Sequence, residues 1–187
     1  MRWVPFVILS CLLLVVQTTL GRVLTFNSAS VGTIGPDLLA IVAVFVALHV
    51  QAELDAAIAA WVLGLALDLA AAGGAGSTTV IGPMPVAYAL GAWIVYRVRE
   101  AFFRERMSSR AFLALLFCGV SHAVWVTAQS LLAGGAATWA GYGSLLLQAA
   151  ALAVYTAALT PLGFWALLRI RKWILLVPSG RARRAAR

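Results

Sequence analysis

The chain has 187 residues, 63% of them hydrophobic and 11% charged, with a mean hydropathy of +0.97. Soluble domains carry about 25% charged residues, so this composition excludes a water-soluble globule; the length holds about six membrane-spanning helices and little else. The net charge of +8 comes mainly from arginines beside apolar runs, which marks a cytoplasmic membrane flank and excludes a nucleic-acid partner.

Trp3 to Leu20 is the first apolar run. Thr18-Thr19-Leu20-Gly21-Arg22 is a poor signal-peptidase site, so the run reads as an uncleaved helix. Gln17 and Thr18 near its end need partners on neighbouring helices. Gly21 to Gly35 reads as a polar loop. Pro36-Asp37 opens the second helix, which continues from Leu38 to Val50. Proline fits the first turn, and Asp37 complements the positive end of the helix dipole. Capping is the plainer role for Asp37, and ligand binding is the alternative.

The third helix, Ala56 to Ala72, contains Asp68. That residue is the only charged side chain between Ala56 and Tyr96. A carboxylate at bilayer depth costs about 2.5–3.5 kcal/mol on insertion scales and faces the bundle interior or an aqueous cavity. Gly64, four residues earlier, shares its face and lets another helix approach. Asp68 is therefore a hydrogen bond between helices or a proton, ion or substrate site. As a packing residue it is expected to be protonated and to donate, with Gln17 as its partner. Pro83 and Pro85 predict irregular backbone over Val80–Pro85 and a fourth helix from Pro85 to about Val98, with Ala87 and Gly91 as a close-contact pair.

Arg97 to Arg110 is an arginine-rich loop. Helix five, Ala111 to Leu132, carries Cys118, His122, Trp125 and Gln129 on one face. This stripe predicts either interhelical hydrogen bonding or the wall of a binding site. A lone histidine makes no metal site, and Cys11 and Cys118, both within apolar runs, read as packed thiols. Helix six runs from about Ser144 to Leu168, with Pro161 as an expected kink. Residues 1–177 thus form one transmembrane domain, and residues 178–187 a basic tail expected to be disordered on anionic lipid.

With six spans, thirteen of the fourteen Lys and Arg residues fall on one side and only Arg22 on the other. The positive-inside rule then places both termini in the cytoplasm. Helix three climbs outward, which puts Asp68 in the outer half of the membrane.

The order of these features resembles the MreD family, the small integral membrane subunit of the bacterial rod-shape machinery. The matching pieces are Gln17-Thr18-Thr19, Pro36-Asp37-Leu38-Leu39 and Gly64-Leu65-Ala66-Leu67-Asp68-Leu69, followed by the arginine-rich loop after helix four. The resemblance covers most of residues 1–110 by motif and rests on hydropathy alone beyond them. Pro83 and Pro85 depart from the family, which has a short glycine-containing segment there. The resemblance implies a non-enzymatic scaffold in the bacterial inner membrane, without cofactor or metal. Such a scaffold would bind the membrane-anchored MreC and help couple MreB filaments to the synthase RodA and its penicillin-binding transpeptidase. It also implies a fold like the substrate-binding subunits of energy-coupling-factor (ECF) vitamin transporters, which supplies the rival function. An intramembrane enzyme is the weakest expectation, because no nucleophile has a base at useful spacing.

Overall fold

The computed structural model of the chain describes residues 3–19, 23–28, 32–72, 81–100, 107–132 and 139–174. Six helices occupy most of them: α1 (Trp3–Thr19), α2 (Leu38–His49), α3 (Glu53–Ala72), α4 (Pro83–Val98), α5 (Met107–Leu132) and α6 (Trp139–Ile174). Three segments, Glu53–Ala71, Met107–Leu132 and Gly141–Arg169, are long and apolar enough to cross a membrane.

The bundle is built around α2. Every residue from Leu39 to Leu48 is buried, and the helix touches each of the other five. A helix that is apolar on all sides belongs in an interior. Aromatic and close-packed contacts seat it: Phe45 meets the Phe164 ring of α6 edge-on at 5.5 Å. Gly163 lets α6 approach so closely that a Cβ there would lie 2.8 Å from Ile41. On the neighbouring pair, a methyl group at Gly91 of α4 would run into Ser121 Oγ of α5 and lie 3.1 Å from the Phe117 ring. Ser121 also donates to the Ala87 carbonyl at 3.2 Å, so the expected Ala87–Gly91 contact face is used.

The length of α2 creates the problem that the polar residues solve. Its 12 residues rise about 18 Å at 1.5 Å each, while bilayer hydrocarbon is about 30 Å thick. The first N–H groups and last carbonyls of a helix have no partner within it. Where water is absent, other protein groups must supply those partners.

Several boundaries differ from the sequence reading. Part of the expected loop between α1 and α2 is an antiparallel hairpin, β1 (Phe26–Ser28) with β2 (Gly32–Ile34), in which Phe26 pairs with Ile34. Thr33 and Asn27 join across it at 2.6 Å. The fold is all-helical as expected, apart from this one small hairpin. The hairpin rests on α6: Gln148 Nε2 donates to the Thr33 carbonyl at 2.7 Å, and Tyr155 to the Leu24 carbonyl at 3.2 Å.

Helix α4 starts at Pro83, two residues before the expected Pro85. Helices α3 and α5 start earlier than expected, and α6 extends at both ends. Pro161 lies inside α6, which continues through it. Arg97 belongs to α4 and Arg110 to α5, which shortens the arginine-rich loop; Arg104 and Arg106 lie outside the described residues, as does the tail from 175.

Candidate functional site

The N-terminus of α2 is held by side chains from four other helices, and Asp37 is their meeting point. Asp37 is 3% exposed and is the N-cap residue: its Oδ1 accepts the Ala40 N–H at 3.0 Å. Gln17 of α1 reaches in beside it. Its Oε1 accepts the N–H groups of Leu38 at 2.9 Å and Leu39 at 3.2 Å, and its Nε2 donates to Asp37 Oδ1 at 3.5 Å. The Asp37 N–H goes to Thr156 Oγ1 of α6 at 3.0 Å. The amides of Leu38, Leu39 and Ala40, left unpaired by the helix, are thus all satisfied, two of them by a residue about twenty positions away in sequence.

The second carboxylate oxygen of Asp37 faces two further helices. Tyr88 of α4 donates its hydroxyl to Oδ2, and His122 Nε2 of α5 lies 3.8 Å from the same atom. The other ring nitrogen of His122 sits 3.0 Å from the Cys118 carbonyl. A carbonyl can only accept, so Nδ1 carries a proton, and Nε2 is the ring nitrogen that faces Asp37. Pro36 precedes this cluster and lines the cavity beside it.

Asp68 caps a different helix. Its Oδ2 accepts the N–H of Gly82 at 2.8 Å and of Met84 at 3.2 Å. The first turn of α4 reads Gly82-Pro83-Met84-Pro85, and the two prolines have no N–H to satisfy. The remaining donors at Gly82 and Met84 both end on one carboxylate oxygen. Gly82 has φ = 126°, a conformation that side-chain-bearing residues rarely adopt. This corrects the expected partner: Asp68 Oδ2 accepts from backbone amides at the start of α4, and Gln17 is committed to α2.

Gly64 makes the Asp68 cap possible. A Cβ on it would lie 2.7 Å from the Met84 carbonyl and 2.8 Å from Pro85 Cα, so the start of α4 leans directly on α3. Gly64→Val is expected to force the two apart and lower stability by about 1–3 kcal/mol. Thermal unfolding in detergent measures this; an unchanged midpoint would show that the contact is not needed.

The opposite end of α2 is served by Arg99, a residue the sequence reading counted only as loop charge. Its Nη1 donates to the carbonyls of Ala47 at 2.9 Å and Val50 at 2.7 Å, and its guanidinium carbon Cζ lies 3.7 Å from the Tyr96 ring centroid. Arginine near a helix C-terminus supplies both donors and favourable charge.

The helix-five stripe divides. Cys118 and His122 are buried at the Asp37 cluster, and Trp125 is half-buried beside it. Gln129 is half-buried and does not line the cavities described below. Tyr88 and Thr156 were missed by sequence reasoning. The signal available was general: a tyrosine hydroxyl within an apolar helix needs a partner when buried.

Two cavities adjoin the cluster. One of about 390 Å³ is lined by Gln17, Thr18, Asp37 and His122 among others. The other, about 300 Å³, is lined by Met84, His122, Trp125, Val126, Leu145 and Leu152 among others. Among the described residues no group of three or more His, Cys, Asp or Glu side chains is placed to hold a metal ion.

No family model, curated protein or solved structure matches this chain.

Proposed function

We propose that the chain is a non-enzymatic scaffold of the bacterial rod-shape machinery, an MreD-like protein of the inner membrane. One observation supports this reading above the others. Gln17, Asp37, Gly64 and Asp68, which carry the resemblance, gather at one end of the bundle, and each is accounted for by capping a helix or by close helix approach. Residues used in this way build a rigid membrane platform. In this reading the chain crosses the membrane six times with both termini in the cytoplasm. It binds an MreC-like partner and through it acts on MreB filaments, RodA and the penicillin-binding transpeptidase.

A second reading, the substrate-binding subunit of an ECF-type transporter for a vitamin or other small molecule, draws on the cavity between Gln17, Asp37 and His122. Affinity purification from native membranes separates the two. Recovery of an MreC-like protein supports the scaffold. Recovery of a tightly bound small molecule together with a cytoplasmic energising module overturns it.

The orientation has its own test. Reporters inserted after Gly180 are expected to read cytoplasm, and reporters inserted within residues 29–31 or 133–138 the outside. A C-terminal reporter on the outside would contradict the six-span arrangement.

A further inference from the structure

The chain has six acidic residues, and none of them lies within residues 1–36 or 106–187. Helices α1, α5 and α6 therefore carry no carboxylate side chain. Of the elements packed against α6, only α2 brings one, its N-cap Asp37. Asp37 meets α6 at Thr156, about 20 Å along the helix from Arg169. Helix α6 thus brings only positive charge to the membrane surface: Arg169 closes the apolar span Gly141–Arg169, and Arg171 and Lys172 follow it in sequence.

Arg169 is exposed and lies over the exposed ring of Trp165, its guanidinium carbon 4.0 Å from the ring centroid. Stacking uses the flat face of the guanidinium, whose N–H donors radiate in its plane and match a phosphate. Tryptophan is enriched at the depth where hydrocarbon meets headgroups. Beside this pair, a groove of about 140 Å³ is lined by Leu9 and Leu13 of α1, by Gly163, Ala166 and Leu167 of α6, and by three residues of α2, all of them apolar. Ala166 is exposed and, three residues before Arg169, shares its helical face. Water gains nothing in such a groove, because a bound water needs about two to four polar partners. A helix about 10 Å across is too wide for it, while part of one acyl chain fits. An apolar groove with a cation one helical turn further along matches the order of chain and phosphate in a phospholipid.

We propose that the α1–α6 groove binds an anionic phospholipid: one acyl chain lies in the groove against Leu9, Leu13 and Gly163, and the phosphate pairs with Arg169. In the six-span orientation proposed above, this lipid belongs to the cytoplasmic leaflet. The site does not rest on the scaffold reading, since failure to recover an MreC-like partner would leave lipid binding unchanged.

The test uses the full chain in uncharged detergent micelles, with phosphatidylglycerol or phosphatidylcholine of the same acyl chains added. Phosphatidylglycerol is expected to raise the unfolding midpoint saturably, at a concentration about tenfold lower than phosphatidylcholine requires. Glycerol 1-phosphate, which has the charge without the chains, is expected to leave the midpoint unchanged. Arg169→Gln should weaken phosphatidylglycerol binding about tenfold. Arg183→Gln removes the same charge from the tail and should weaken it less than about twofold. Ala166→Phe fills the groove and should cost as much as Arg169→Gln. Equal effects of the two lipids, equal effects of the two arginine substitutions, stabilisation by glycerol 1-phosphate, or unchanged binding in Ala166→Phe would each overturn the proposal. Should Ala166→Phe fail to fold, Leu9→Trp, which fills the groove from α1, takes its place.

Discussion

Asp37→Leu is expected to be the most damaging single substitution in the chain. It removes the acceptor for the Ala40 N–H, the Tyr88 hydroxyl and the Gln17 amide together. Each buried donor left unpaired costs about 1–3 kcal/mol, so the loss should reach about 3 kcal/mol or more. Asp37→Asn is a different change. The amide oxygen can take the place of Oδ1 as cap, and the amide nitrogen can donate to the Tyr88 hydroxyl, reversing that bond without abolishing it. We expect Asn to fold and to lose only about 1 kcal/mol. Thermal unfolding and membrane expression level check both. Equal stability of the Leu and Asn variants would show that the carboxylate does not hold the cluster together.

Asp68 carries the second large effect. Asp68→Leu strips the acceptor from Gly82 and Met84 at once and adds bulk beside the tight α3–α4 contact at Gly64. The expected cost is about 2–4 kcal/mol. Asp68→Asn retains an oxygen that can accept both N–H groups, so it should fold and, if the proposed scaffold function holds and the unaltered chain restores cell shape in a bacterium depleted of its own MreD, restore it equally well. A stable Asn variant that fails to restore shape would assign Asp68 a titrating role and contradict the capping account.

These two carboxylates show which part of the site the sequence could reveal. The Asp37 cap was legible because its acceptor and donor lie three residues apart and Pro36 marks the helix start. The shared face of Gly64 and Asp68 followed from helical period alone. The partner of Asp68 was not legible, because Gly82 and Met84 lie 14 and 16 residues on, beyond a glycine-rich stretch with no periodicity to set its path. The prolines at 83 and 85 read as helix breakers; the structure uses them to reduce the number of donors that Asp68 must satisfy.

Gln17 was singled out correctly as a polar group needing a partner but was assigned the wrong one. Nothing in an apolar run says which of two helix ends nearby its amide will reach. Tyr88 and Thr156 were invisible for the same reason, as single polar atoms in apolar helices whose role appears only when five helices meet. Arg99 was hidden by its neighbours, since among several arginines near a membrane face charge alone does not mark the one that turns inward.

The central claim is that the polar residues gathered at this end of the bundle stand in for water at the ends of buried helices. Residue-resolved amide hydrogen exchange over Leu38–Ala40 tests it most directly, comparing the unaltered protein with Gln17→Leu. In the unaltered protein all three amides should be protected, since each is bonded to Gln17 or Asp37. In Gln17→Leu the amides of Leu38 and Leu39 should exchange faster, while Ala40, held by Asp37, keeps its protection. Unchanged protection at Leu38 and Leu39 would contradict the account, because it would mean that the N-terminus of α2 does not rely on a side chain from another helix.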